Sequence, residues 1–128
     1  MIYVDSSVAL ARLFGEDRQP PSGFWEETLI SSRLLQYEVW SRANQRPMSE
    51  GDREAVTQLL RGIEYAELYP FVLERALTPF PTPLKTLDGL HAATMDFLQR
   101  QGRSIELATY DVRLAAAAEA LGIVVRRL

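Results

Sequence analysis

Four of the seventeen acidic residues in this chain are set apart by their neighbours. Asp5 ends the apolar run Ile2, Tyr3, Val4. Asp111 closes a second such run, Ile105, Leu107 and Ala108, after Thr109 and Tyr110. Glu38 and Asp88 lie near the starts of segments with helical apolar spacing. Gathering carboxylates is electrostatically costly, since unit charges about 4 Å apart repel by roughly 4 kcal/mol at the effective dielectric of a protein surface. A divalent cation removes that cost. If the four acids meet, they point to a hard, oxygen-ligated ion, Mg²⁺ or Mn²⁺, that keeps several waters.

Taken singly, each acid has an ordinary structural reading. Aspartate at a strand end is a common helix N-cap, which covers Asp5 and Asp111. Glu38 suits a solvated helix position. Asp88 followed by Gly89 suits a turn, although the apolar spacing downstream favours a helix start. Capping alone leaves the convergence of all four unexplained.

Composition narrows the chemistry further. The chain has no cysteine and one histidine, so disulfides, thiolate sites, thiol nucleophiles and histidine-rich zinc sites are excluded or disfavoured. The formal net charge of -3 argues against a broad basic surface for nucleic acid. A compensated cluster of acids would leave the rest of the surface close to neutral, and Arg42, Arg46, Lys85 or Arg113 could still meet phosphates.

The acids can meet only if strands and helices alternate. The strand Ile2–Val4 runs into Asp5, and Ser6 and Ser7 open a helix through Phe14. Residues 15–23, with Pro20 and Pro21, read as a loop leading to a short helix through Trp25 and Glu27. Leu29 and Ile30 form a second strand, with Ser31 and Ser32 as helix starters. A helix from Leu34 to Arg46 stops at Pro47. Ser49 and Asp52 form a capping-box pattern ahead of Val56, Leu59, Leu60 and Ile63. Residues 64–69 read as a half-buried third strand and 71–77 as a short helix. Pro79, Pro81 and Pro83 then forbid regular structure. Thr86 is the expected N-cap of a long helix ending at Gly102. The run 105–108 forms a fourth strand, residues 112–121 an alanine-rich helix, and 123–125 a last strand.

Such alternation implies parallel crossovers and an α/β fold, a three-layer sandwich with a central, mostly parallel sheet. Sites in these folds form beyond the C-terminal strand ends, the edge that all four acids can reach. The length predicts one domain, 1–128. With no membrane-length apolar run and no leader-like N-terminus, a cytoplasmic location with no membrane association is the default expectation.

The segments MIYVDSSVAL, ISSRLLQYEVWSRA, TLDGLHAAT and LATYDVRLAAAAEALGI, weak individually but specific in order and spacing, resemble the PIN-domain nucleases. Within that family they are similar to the VapC toxins of type II toxin-antitoxin pairs, and the resemblance spans essentially the whole chain. It implies a Rossmann-like sheet and a Mg²⁺- or Mn²⁺-dependent endoribonuclease cutting tRNA or rRNA loops, with Asp5, Glu38, Asp88 and Asp111 as the acidic site. On this resemblance Asp5 and Asp88 are metal ligands, Glu38 is a ligand or water activator, and Asp111 is an outer or second-metal ligand. Ser7 and Thr109 match polar positions that assist the site. A homodimer and a VapB-like antitoxin partner are also implied.

Two other readings compete. A phosphoryl-receiver domain needs an acidic pair after its first strand, where this chain has Ser6 and Ser7. A non-catalytic PIN-like module binding RNA or protein remains an alternative, because fold does not prove activity. Elsewhere, His91 reads as packed or hydrogen-bonded within the fold, Asp96 and Glu119 as solvated helix residues, and Arg126 and Arg127 as a surface tail. Phe14, Phe24, Trp25 and Trp40 read as core or as a partner groove.

Overall fold

In a computed structural model describing residues 1–128, the chain's first strand becomes the middle of its sheet. The strands β1 (Ile2–Val4), β2 (Leu29–Ser32), β3 (Glu64–Ala66), β4 (Glu106–Ala108) and β5 (Val124–Val125) are ordered β3-β2-β1-β4-β5. Every neighbouring pair is parallel. Side chains alternate across the sheet as the period of two requires. Ile2 and Val4 enter one apolar cluster and Tyr3 the other.

Helices cover both faces. Val8 from α1 (Ser6–Leu13), Leu35 and Val39 from α2 (Leu34–Ala43), and Val56 and Leu60 from α3 (Glu50–Arg61) pack with Ile2 and Val4. Met95 and Leu98 from α5 (Thr86–Arg100), with Leu114 and Ala118 from α6 (Val112–Ala120), pack with Tyr3, Ile30 and Leu107. Helix α4 (Pro70–Ala76) lies against α5. The result is an α/β three-layer arrangement whose sheet is parallel throughout. No helix is long and apolar enough to cross a membrane.

Several local expectations shift. Ser31 and Ser32 belong to β2 and are fully buried. Burial is compensated because Ser31 Oγ donates to the Val4 carbonyl at 2.7 Å, and Ser32 Oγ accepts from Leu34 N at 3.1 Å. Helix α2 ends at Ala43 instead of Arg46: Gln45 N and Arg46 N bond only three residues back, to the Arg42 and Ala43 carbonyls, so the chain leaves α-helical bonding through tighter turns ahead of Pro47. Strand β3 stops at Ala66, and Pro70 opens α4 at a position where its missing N–H is harmless. Thr86 is the first residue of α5 rather than its cap; Lys85 occupies the cap without a side-chain hydrogen bond. Asp96 is buried rather than solvated, and pairs with Arg75 at 2.8 Å and Arg100 at 3.2 Å. Arg126 is not a free tail: it pairs with Glu27 at 2.9 Å. The capping box of α3 is present, with Ser49 and Asp52 exchanging two 3.0 Å bonds.

Candidate active site

Because the sheet is parallel, the C-terminal ends of β1, β2 and β4 share one edge. Asp5 leaves β1 there and caps α1; Thr109 leaves β4 directly beside it. Asp5 is only 4% exposed. Its Oδ2 accepts hydrogen bonds from Ser7 Oγ and Thr109 Oγ1, both at 2.7 Å. Each hydroxyl also accepts a backbone N–H from the turn after β4. Tyr110 N donates to Ser7 Oγ, and Asp111 N donates to Thr109 Oγ1, both at 2.9 Å. Two small side chains thus stitch two strand ends around one carboxylate oxygen, while Oδ1 takes none of these bonds.

Asp111 caps α6 by accepting from Arg113 N at 2.9 Å and Leu114 N at 3.2 Å through Oδ1. The structural role anticipated for strand-end aspartates is therefore real for both Asp5 and Asp111. It uses one oxygen of each and leaves the other available.

Asp88 lies in the first turn of α5, which runs back against the strands and so begins at the same edge. Burial, then the charges of Asp111 and Asp5, with a smaller contribution from Glu38, hold its carboxyl above the usual carboxylate range. Nearby His91 opposes that rise without cancelling it. One side chain therefore senses all of the other three acids, which a scattered arrangement would not produce.

Glu38, in the second turn of α2, is anchored by two contacts. Ser6 Oγ donates to its Oε2 at 3.4 Å, and His91 Nε2 bonds its Oε1. His91 has no exposed surface, and its Nδ1 lies 2.6 Å from the Tyr3 hydroxyl, which in turn accepts from Ser32 N at 3.2 Å. Burial opposes protonation of His91, but the hydrogen bond and charge of Glu38, with Asp5 and Asp88, outweigh it and raise its pKa. Burial also pushes the Tyr3 phenol well above its ordinary value.

Asp5, Glu38, Asp88 and Asp111 thus lie along one sheet edge, with Ser7 and Thr109 on Asp5. Sequence reasoning passed over Tyr3, Ser6 and the engagement of His91 with Glu38. Spacing carried a signal for His91, because residues three apart on a helix share a face and Asp88 precedes it by three. Tyr3 carried another, as the one polar tip in an apolar strand.

The donor set is all oxygen apart from His91. No three of these side chains stand in ligating geometry. The free oxygens of Asp5 and Asp111, and the unfavourable charge on Asp88, fit a hard divalent ion. Among the basic candidates, Arg42 is exposed one turn beyond Glu38, Lys85 is exposed before α5, and Arg46 lies over the Phe14 ring at 3.6 Å. Arg18 stacks on Tyr110, beside Asp111, at 4.6 Å. Of the four aromatics, Phe24 is core; Trp25 packs partly buried and lines a concavity of about 400 Å³ with Arg12, Leu13 and Leu59, where none of the four acids is found.

Residues 2–120 match the family model described as PIN domain. Ribonuclease VapC35 of Mycobacterium tuberculosis, from strains CDC 1551 and H37Rv, is 31% identical, over 98% of this chain and 95% of its own length. Ribonuclease VapC46 of strain H37Rv is 34% identical, over 97% of this chain and 95% of its own.

Proposed function

This chain belongs to the PIN-domain family, and from that premise we propose that it is a VapC-type toxin: a single-domain, Mg²⁺- or Mn²⁺-dependent endoribonuclease that hydrolyses phosphodiester bonds in tRNA or rRNA loops. The observation carrying this reading is the meeting of the four acids at one sheet edge, where Asp5 is braced by two hydroxyls and burial with the charges of Asp111, Asp5 and Glu38 raises the Asp88 pKa. A divalent cation would offset the repulsion in such an assembly of acids.

Asp5, Asp88 and Asp111 would hold the ion. When bound, Mg²⁺ or Mn²⁺ lowers the pKa of a water and offsets negative charge on the phosphate. Ser7 and Thr109 keep Asp5 from rotating, since both of their hydrogens are committed to its Oδ2. Glu38 takes a proton from the attacking water as the water's oxygen bonds to phosphorus; the bond to the ribose oxygen breaks, and that oxygen leaves with the electron pair and takes up a proton from solvent. No side-chain nucleophile is needed. Arg18 and Arg42 offer cations to flanking phosphates.

The relatives' naming supports a VapB-like antitoxin as partner. The exposed aromatic pair Tyr69 and Phe71, stacked at 5.2 Å, supports a protein interface such as a homodimer. The reading is tested by incubating the purified protein with tRNA and rRNA fragments in Mn²⁺ or Mg²⁺, with EDTA and Asp5→Asn as controls. Cleavage abolished by both controls is expected. Cleavage that survives them, or that never occurs, overturns the reading.

A further inference from the structure

We propose that His91 is a positioning residue for Glu38: buried between Tyr3 and Glu38, it presents an Nε2 hydrogen to Oε1 and so turns Oε2 toward the attacking water. The inference rests on the assignment of Glu38 to the nuclease site.

Ser32 N–H can only donate, so the Tyr3 oxygen accepts from it. A carboxylate oxygen can only accept, so in the neutral ring the hydrogen sits on Nε2, the nitrogen that faces Glu38 Oε1, and Nδ1, 2.6 Å from the Tyr3 hydroxyl, accepts the phenolic hydrogen. In the cationic ring Nε2 carries a hydrogen as well, so Glu38 meets a donor in both forms. The other oxygen of Glu38 has only the longer 3.4 Å contact from Ser6. The stronger hold is therefore on the inner oxygen, and the outer one stays open to a water.

The elements explain why the bridge exists. Tyr3 points to the α5 face of the sheet, whereas Glu38 comes from α2 on the opposite face. A glutamate reaching over the sheet edge from one layer has several rotamers to choose between. An imidazole from the other layer, itself locked by a tyrosine in the central strand, selects one. His91 has no exposed surface, and the one acid of the site that it hydrogen-bonds is Glu38.

A single histidine makes the arrangement directly readable, because ¹⁵N-histidine labelling gives one imidazole. In metal-free protein, a hydrogen-bonded Nε2–H is expected, and it weakens or becomes mobile in Tyr3→Phe. Glutamine mimics the donor position of Nε2, whereas asparagine mimics Nδ1. His91→Gln should therefore retain most of kcat on an RNA substrate, while His91→Asn and His91→Phe should lose about 10- to 100-fold, with KM unchanged. Comparing the glutamine and asparagine variants, both polar and both checked for a cooperative melt, separates positioning from a general packing defect.

A bare Nε2 overturns the proposal. So does equal kcat in the glutamine and asparagine variants while Glu38→Gln remains impaired, a result that leaves the nuclease reading standing. If the parent protein cleaves no RNA, the nuclease reading falls and the role of His91 falls with it.

Discussion

Thr109 Oγ1 donates to Asp5 Oδ2 at 2.7 Å, joining side chains 104 residues apart in sequence. The same oxygen accepts from Asp111 N, so removing it disturbs two acids together. Thr109→Val keeps the shape and deletes both bonds. RNA cleavage or Mn²⁺ affinity should fall by about 10- to 100-fold, and Thr109→Ser should recover most of it. Steady-state kinetics and calorimetric Mn²⁺ titration measure the two quantities.

Asp88 predicts an unusual pH response in metal-free protein. Its folded-state pKa is raised by burial and by Asp111, Asp5 and Glu38. An acid of this kind holds its proton better folded than unfolded, so its contribution to stability is present below the ordinary carboxylate range. That contribution is lost as pH rises through the elevated value. Asp88→Asn cannot ionise and escapes the loss. In EDTA near neutral pH the variant should melt higher than the parent, and the difference should shrink toward acid pH. Thermal unfolding followed by circular dichroism across that range decides it; a parent protein that melts higher at neutral pH contradicts the assignment.

Divalent ions should stabilise the fold through the same acids. Binding to the folded state alone contributes about 2.7 kcal/mol when the ion is present at one hundred times its dissociation constant. Mn²⁺ should therefore raise the Tm of the parent, EDTA should reverse the rise, and Asp5→Asn should abolish it. Equal responses from parent and variant would place the ion elsewhere.

A change remote from the acids serves as a control. Ser49 closes the capping box of α3 on an exposed surface. Ser49→Ala should destabilise by about 1 kcal/mol, seen as a lower denaturation midpoint, with RNA cleavage per folded molecule unchanged.

What could be read from sequence was what repeats locally. Alternating side chains set apart Ile2–Val4, and the Ser49–Asp52 pattern located α3, because those signals reside within a few neighbouring residues. The strand end at Asp5 followed from the same logic, whereas Asp111, read as the end of a strand, lies three residues past the end of β4 and caps α6. Contacts between layers were not readable. Asp96 looked solvated because its partner Arg75 lies 21 residues away on α4. His91 read as packed or hydrogen-bonded, and it is both; its partners Tyr3 and Glu38 were not readable because they reach it from two different layers of the sandwich. Ser32, read as a helix starter, does accept the N–H of Leu34, the first residue of α2, whereas Ser31 turned out otherwise because its buried acceptor, the Val4 carbonyl, belongs to another strand.

Residues 2–5 supply both the middle strand and the carboxylate at its tip. The backbone that carries this carboxylate is therefore fixed as soon as the sheet pairs, and the pairing of β1 with β4 also sets Thr109 beside it. Glu38 and Asp88 stand on helices packed against opposite faces of the sheet, so their distance from Asp5 depends on how both outer layers seat, and a change in helix packing reaches the centre through these two acids.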